Sequence, residues 1–294
     1  MLMALDRSTS PLGLIAGEGE FPFLVARGAR RAGRRVVVVG LTGSADAALR
    51  KESDVYYDAG VARLGRWIRV FRREGVQEAV MAGRVVKAKA AGLSLWGQIW
   101  AYLPDWSSMR LWLFRVKDRR NDTLLSAVAD ALAEKGITLI DSTAYCADAL
   151  AEEGTLTSVG LSAAQRADAD LGWHIAKEMG RLDVGQSVAI KDKDVIAVEA
   201  IEGTDRMIAR AGELCRSGGW VLVKTAKPRQ DMRFDVPTIG VATVENVHRA
   251  GGRAIVIEAG KTLLLNREKT ISSANRLGIA IVAKSDSPSL TANG

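Results

Sequence analysis

Short apolar runs alternate with amphipathic stretches through the first half of the chain. "LGLIAG" (12–17), "RVVVVGL" (35–41), "VQEAVMAG" (76–83) and "ITLI" (137–140) are rich in branched residues, which is how strands buried on both faces read. Residues 21–32, 62–74 and 121–135 lie between them with helical spacing, and Gly33, Gly75 and Gly136 follow as C-terminal caps. Strand and helix in alternation predict a parallel, doubly wound α/β sheet of the Rossmann type.

The pattern changes after about residue 150. "AEEGTLTSVGLSAAQRAD" is small and polar, so 151–165 is expected to link an N-terminal domain, 1–150, to a C-terminal domain, 166–294. A helix over 163–179, stopped by Gly180, opens the second domain. Strands are expected at 187–191, 195–201, 220–224, 238–244, 254–258, 262–266 and 279–283, with helices near 204–216, 244–250 and 267–277, giving a mixed α/β sheet.

At 294 residues, two domains are the natural division. Apolar residues make up 48% of the chain, the composition of a globular protein, and no apolar run is long enough to span a bilayer, so a cytoplasmic protein is expected. Cys146 and Cys215 are too few and too far apart for a disulfide framework or a zinc site. The net charge of +7 favours an anionic partner. Much of it lies in Arg27, Arg30, Arg31, Arg34 and Arg35, at the end of one helix, where cations suit the helix dipole. No nucleic-acid motif accompanies it, so nucleic acid is not expected as a partner.

Four segments could carry chemistry. In "GLIAGEGEFP", Gly17 and Gly19 sit where the first strand turns into a helix, a place where backbone N–H groups bind phosphate. Pro22 replaces the third glycine of a dinucleotide fingerprint and no carboxylate ends the second strand, so a nicotinamide cofactor is not expected. "LSLWGQIWAYLPDWSSMRLWLF" (93–114) holds Trp96, Trp100, Trp106 and Trp112, and serves either as core or as an apolar surface that touches lipid. In "VIAVEAIEGTDRMI" (195–208), Thr204 and Asp205 begin a helix. Glu199 stands inside an apolar strand, where a carboxylate is costly unless paired or bound to metal.

The fourth is "KPRQDMRFDVPTIG" (227–240). Extended, it would place Lys227, Arg229, Asp231, Arg233 and Asp235 on one face; Pro228 and Pro237 bracket it and favour a fixed loop over an interior strand. Such a loop offers cations for phosphate oxygens, Gln230 for hydrogen bonds, and Asp231 and Asp235 for Mg²⁺ or water.

With "GRLDVGQS" (180–187), "AVEAIEGTD" (197–205) and "KPRQDMRFDVPTIGVAT" (227–243), the chain resembles the UDP-2,3-diacylglucosamine pyrophosphatases of lipid A biosynthesis, the family unrelated to calcineurin-like metallophosphatases. The resemblance runs from "LGLIAGEGEFP" to "GGRAIVIEAGKTLLLNRE". It implies Mg²⁺-dependent attack of water on the β-phosphorus of UDP-2,3-diacylglucosamine, giving UMP and 2,3-diacylglucosamine 1-phosphate. A homodimer with a peripheral place on the cytoplasmic face of the inner membrane is implied as well.

Carried onto this chain, the family's essential acid is Asp235; Thr204 and Asp205 stand at its E-G-T-D, and Lys227, Gln230 and Arg233 at the basic and amide positions before Asp235. On these positions Asp205 is expected as a second catalytic and metal-binding carboxylate and Lys227 and Arg233 as the catalytic cations, with Gln230, Thr204, Thr238, Gly17, Gly19, Gly83 and Asp122 expected in the substrate-binding set. Ser187 replaces a usual glycine, and "RND" at 120–122 stands where many members read "GDD". A non-enzymatic carrier of lipid or nucleotide sugar is the alternative.

Overall fold

In a computed structural model of the chain, residues 10–85, 104–106, 108–109, 121–228 and 230–286 are described. They form two compact units, Met1–Ala147 with Asp231–Asp235, and Asp148–Gln230 with Val236–Gly294.

The first unit is built on a five-stranded, all-parallel sheet in the order β3-β2-β1-β4-β5. Its strands are β1 (Leu12–Ala16), β2 (Val36–Leu41), β3 (Val55–Ala59), β4 (Glu78–Ala82) and β5 (Thr138–Leu139), with α1 (Phe21–Arg31), α2 (Leu64–Arg73) and α3 (Asn121–Ala133) between them. β1 and β2 are buried along their whole length, as their continuous apolar runs require. β3 is a half-exposed edge strand, "VYYDA", whose pattern did not announce it. Arg34, three residues past the end of α1, is buried, with Nε donating to Ser10 O at 2.7 Å and a second nitrogen pairing with Glu78 at 3.1 Å.

A six-stranded mixed sheet, β6-β13-β11-β9-β7-β8, carries the second unit. β9 (Val221–Lys224), β11 (Ala254–Glu258) and β13 (Ala280–Lys284) are parallel; β7 (Ser187–Lys191) runs antiparallel between β9 and β8 (Asp194–Val198), and β6 (Gly154–Thr155) antiparallel on β13. α4 (Ala163–Arg181) covers one face through Trp173 and Ala176 packed on Val188, Val221, Val223 and Val256. α5 (Thr204–Leu214), α6 (Val241–Arg249) and α7 (Arg267–Leu277) cover the other, around Met207, Trp220, Leu222 and Ile255. A separate parallel pair joins β10 (Thr238–Ile239) to β12 (Leu263–Leu264).

Three expectations are corrected here. Residues 151–165 are folded into the second unit: Ala151 is buried in its core, Gly154–Thr155 pairs with β13, and Ser162 with Gln165 forms a capping box that starts α4. Gly180 does not stop α4, which continues to Arg181; a methyl group there would come 3.1 Å from Lys227 Cα, so the glycine makes room for a crossing chain. The strand expected over 238–244 stops at Ile239. From Val241 the β-branched residues are helical, because Val244 and Val247, three apart, both enter the core.

Candidate functional site

The segment after β9 is fixed residue by residue. Ala226 N donates to Glu258 Oε2 at 2.8 Å; that carboxylate is fully buried and is balanced by Lys177 and Lys261, each at 2.8 Å. Lys227 N then donates to the Gln230 side chain at 2.9 Å while Gln230 N donates back to Lys227 O at 2.9 Å, closing a turn around Pro228. The Lys227 ammonium pairs with Asp183, which follows α4.

Asp231–Asp235 belongs to the first unit although both of its flanks belong to the second. Phe234 packs on the first unit's core beside strand and helix residues. Ser142 N donates to Met232 O at 3.0 Å, and its hydroxyl lies 2.8 Å from Arg233 O and 2.6 Å from Met81 O. Asp231 holds the turn from within, accepting from Arg233 Nε at 2.9 Å and from its terminal nitrogen at 2.7 Å, with Phe234 N on its carbonyl at 3.0 Å. The fork lowers the Asp231 pKa, and Asp231 in turn raises that of Arg233. Asp235 stands at the exit of this excursion. The strand-like arrangement of alternating charges is therefore not formed; Arg229 lies outside the described residues.

At the end of the second sheet a polar layer replaces the apolar core. Antiparallel register sets Ser187 opposite Lys224, and Glu199 N donates to Ser187 O at 2.8 Å, so side chains from three neighbouring strands share the face under α5. Thr204, the first residue of α5, donates its hydroxyl to Glu199 Oε1 at 3.0 Å and accepts from Lys224 Nζ at 3.2 Å. Lys224 also reaches Thr238 O at 3.2 Å, tying β10 into the layer. Glu199 and Lys224 are each only 8% exposed. Glu199 Oε2 and Ser187 Oγ are buried with no hydrogen-bond partner among the described residues. Gly185 lets the chain pass here, since a methyl group would fall 2.1 Å from Glu199 O.

Asp205 turns the other way. It accepts from Asn246 Nδ2 at 3.2 Å and lines a groove of about 540 Å³ between α5 and α6, with Arg216 and Arg249. Asp205 and Asp235 thus belong to different units. Among the described residues no three His, Cys, Asp or Glu side chains gather as a ready metal cage.

The glycine turn of the first unit is a backbone crossing. Gly17 N donates to Ala82 O at 2.8 Å, and Glu18 and Arg84 form an isolated bridge as well as an ion pair at 3.0 Å. A methyl on Gly17 would come 2.6 Å from Arg84 O, and one on Gly83 2.7 Å from Glu18 O, whereas Gly19 faces open space. The Asp122 side chain, and most of the Trp-rich stretch 93–114, lie outside the described residues.

Sequence reasoning gathered Lys227, Gln230, Arg233 and Asp235 on one segment, and Thr204 beside Asp205. It singled out Glu199 as unexplained but left it out of the site, and it passed over Lys224, which reads as the polar end of the strand "WVLVK".

Five parallel strands in one unit and a mixed sheet in the other, with the charged segment Asp231–Asp235 counted in the first, define a two-unit α/β protein. Residues 11–149 match the LpxI N-terminal domain and residues 152–282 the LpxI C-terminal domain. A curated relative from Caulobacter vibrioides, UDP-2,3-diacylglucosamine pyrophosphatase LpxI, is 33% identical over 282 residues, which is 92% of this chain and 96% of the relative. The chain belongs to the LpxI family.

Proposed function

We propose that the protein hydrolyses the pyrophosphate bond of UDP-2,3-diacylglucosamine, a step of lipid A synthesis. The observation that carries this reading is the likeness, over nearly the full length of both chains, to a relative bearing that activity in its name. Water attacks the β-phosphorus, the bond from that phosphorus to the bridging oxygen breaks, and UMP departs with that oxygen while 2,3-diacylglucosamine 1-phosphate keeps the new one.

A pyrophosphate ester requires positioning and charge neutralisation more than covalent help. Asp235 orients the attacking water or would contribute an oxygen to Mg²⁺, and it directly follows Arg233 and Phe234, which Ser142 and the first unit's core hold in place. Mg²⁺ characteristically takes one or two protein carboxylates and completes its shell with water and phosphate. Asp235 would offer the ion a carboxylate and Asp205 is proposed as a second; when bound, the ion neutralises charge on the phosphates. Lys227 and Arg233 grip phosphate oxygens, in exchange or in common with Asp183 and Asp231. Gly17, Gly19 and Gly83, with Gln230, Thr238 and Asp122, contribute to the substrate's seat, and the acting form is a homodimer on the cytoplasmic face of the membrane that carries the lipid.

The test is incubation with UDP-2,3-diacylglucosamine and Mg²⁺ in ¹⁸O-water. UMP should be released, with the label in the sugar 1-phosphate, and Asp235→Asn should abolish turnover while remaining folded. A carrier would bind the lipid and release no UMP, and label in UMP would place the attack on the other phosphorus.

A further inference from the structure

The first unit carries a second cationic surface that the proposed reaction does not use. α2 reads "LGRWIRVFRR", with Arg66, Arg69, Arg72 and Arg73 and no acidic residue in its ten positions. A solvated helix of this composition ordinarily alternates its charges, because like charges a turn apart repel. Arg69 and Arg72, three apart, line a groove of about 550 Å³ together with Ile68, Arg73 and Lys135, the last just beyond α3. Arg73 is partly occupied by Tyr57 and Glu74. The side chains of Arg69, Arg72 and Lys135 make no ion pair among the described residues.

The rim of the groove carries an aromatic residue. Trp106 is 76% exposed, and nearby Met109 is 40% exposed. Their segment is not adrift: Asp105 N donates to Ala62 O at 3.2 Å, and the Asp105 carboxylate accepts from Arg66 N at 3.2 Å and from Ser108 N at 3.0 Å. Asp105, the one carboxylate lining the groove among the described residues, therefore has its oxygens engaged by backbone donors, and three cations with no ion pair among those residues stand around an exposed indole.

From this we infer that the groove of α2, Lys135 and Trp106 is a docking surface for an anionic phospholipid bilayer. Cations hold the phosphate headgroups and Trp106 enters the boundary between headgroup and acyl chain, the depth at which indole is at home. A single-stranded nucleic acid is the rival polyanion; it binds along a track of several stacking aromatics, whereas among the described residues this groove presents one indole at its rim. That the anion is a lipid surface rests on the lipid-substrate reading above, so adsorption and hydrolysis are to be measured separately.

The full chain is sedimented with phosphatidylcholine vesicles with or without phosphatidylglycerol. Adsorption should require phosphatidylglycerol and weaken with salt. Changing Arg69, Arg72 and Lys135 together to Gln should lower the partition coefficient roughly 100-fold, at about 5-fold per cation. Brominated acyl chains should quench the wild-type protein more than Trp106→Phe. The triple variant should still release UMP from detergent-dispersed substrate at the wild-type rate, because none of its three positions belongs to the proposed site. Equal adsorption to neutral vesicles, a triple variant that adsorbs like wild type, or tighter binding of an oligonucleotide through these same residues would each overturn the inference. A wild-type protein that adsorbs but releases no UMP would leave the surface standing and defeat the reaction instead.

Discussion

The Thr204 hydroxyl donates to the buried Glu199 carboxylate at 3.0 Å, tying the start of α5 to the end of β8. Lys224 completes the arrangement from the other side, so one hydroxyl mediates between a buried anion and a buried cation. Removing the mediator takes a hydrogen bond from each of two charged groups that are only 8% exposed. Thr204→Val, which keeps the shape, should cost about 1–3 kcal/mol, the usual penalty for an orphaned buried polar group. Thr204→Ser should restore most of it. Urea denaturation of the three proteins checks this; a Val variant as stable as wild type would mean that the hydroxyl carries nothing.

Lys227 is paired with Asp183, whose side chain is 40% exposed. Such a pair contributes little to folding, so Asp183→Asn should change stability by less than about 1 kcal/mol. Its effect on substrate should be larger. With the competing carboxylate gone, the ammonium is freer for phosphate and KM should fall, while Lys227→Met should raise KM. Identical KM values in both variants and wild type would remove Lys227 from the phosphate grip.

Asp231 offers a pH test with a definite sign. The Arg233 fork depresses its folded-state pKa below the ordinary aspartate value. The pair's contribution is thus complete above the unfolded value, about 3.9, and is lost as pH falls through the lower folded value. A carbon-13 titration of the Asp231 carboxyl should show a midpoint below about 3.9 that moves back up in Arg233→Gln. A wild-type midpoint at or above the ordinary value would contradict the fork.

What the sequence made legible follows the range of the forces involved. α7 has the bounds that its pattern predicts, Arg267–Leu277, because a local signal, Gly278 in the left-handed region, ends it. The buried parallel strands were legible for the same reason, as unbroken apolar runs. β3 was missed because an edge strand need not be apolar on both faces. The helix at Val241 reads as strand in the sequence because its residues prefer strands, and only the core that receives Val244 and Val247 decides otherwise. Within the site, Glu199 showed itself as a carboxylate in the wrong company. Its partners could not be read, since Lys224 reaches Thr204 across 20 positions and Ser142 holds Arg233 across 91.

Gly17, Gly19 and Gly83 are expected together in the substrate-binding set, and the structure separates Gly17 from Gly19 by what a methyl group would meet. At Gly17 it would strike the Arg84 carbonyl at 2.6 Å, a backbone atom that cannot swing aside, where β1 and β4 are already joined by the Glu18–Arg84 bridge. Gly17→Ala should therefore push the two strand ends apart and cost about 1–3 kcal/mol, as overpacking does. Gly19 has open space around it but a φ of +104°, so Gly19→Ala meets backbone strain and no collision, a penalty of about 1 kcal/mol. Thermal unfolding should rank Gly17→Ala below Gly19→Ala. If Gly19 also approaches a phosphate, its alanine variant should raise KM out of proportion to the stability lost. A Gly19 variant with unchanged KM would reduce the whole turn to a close crossing of two strands.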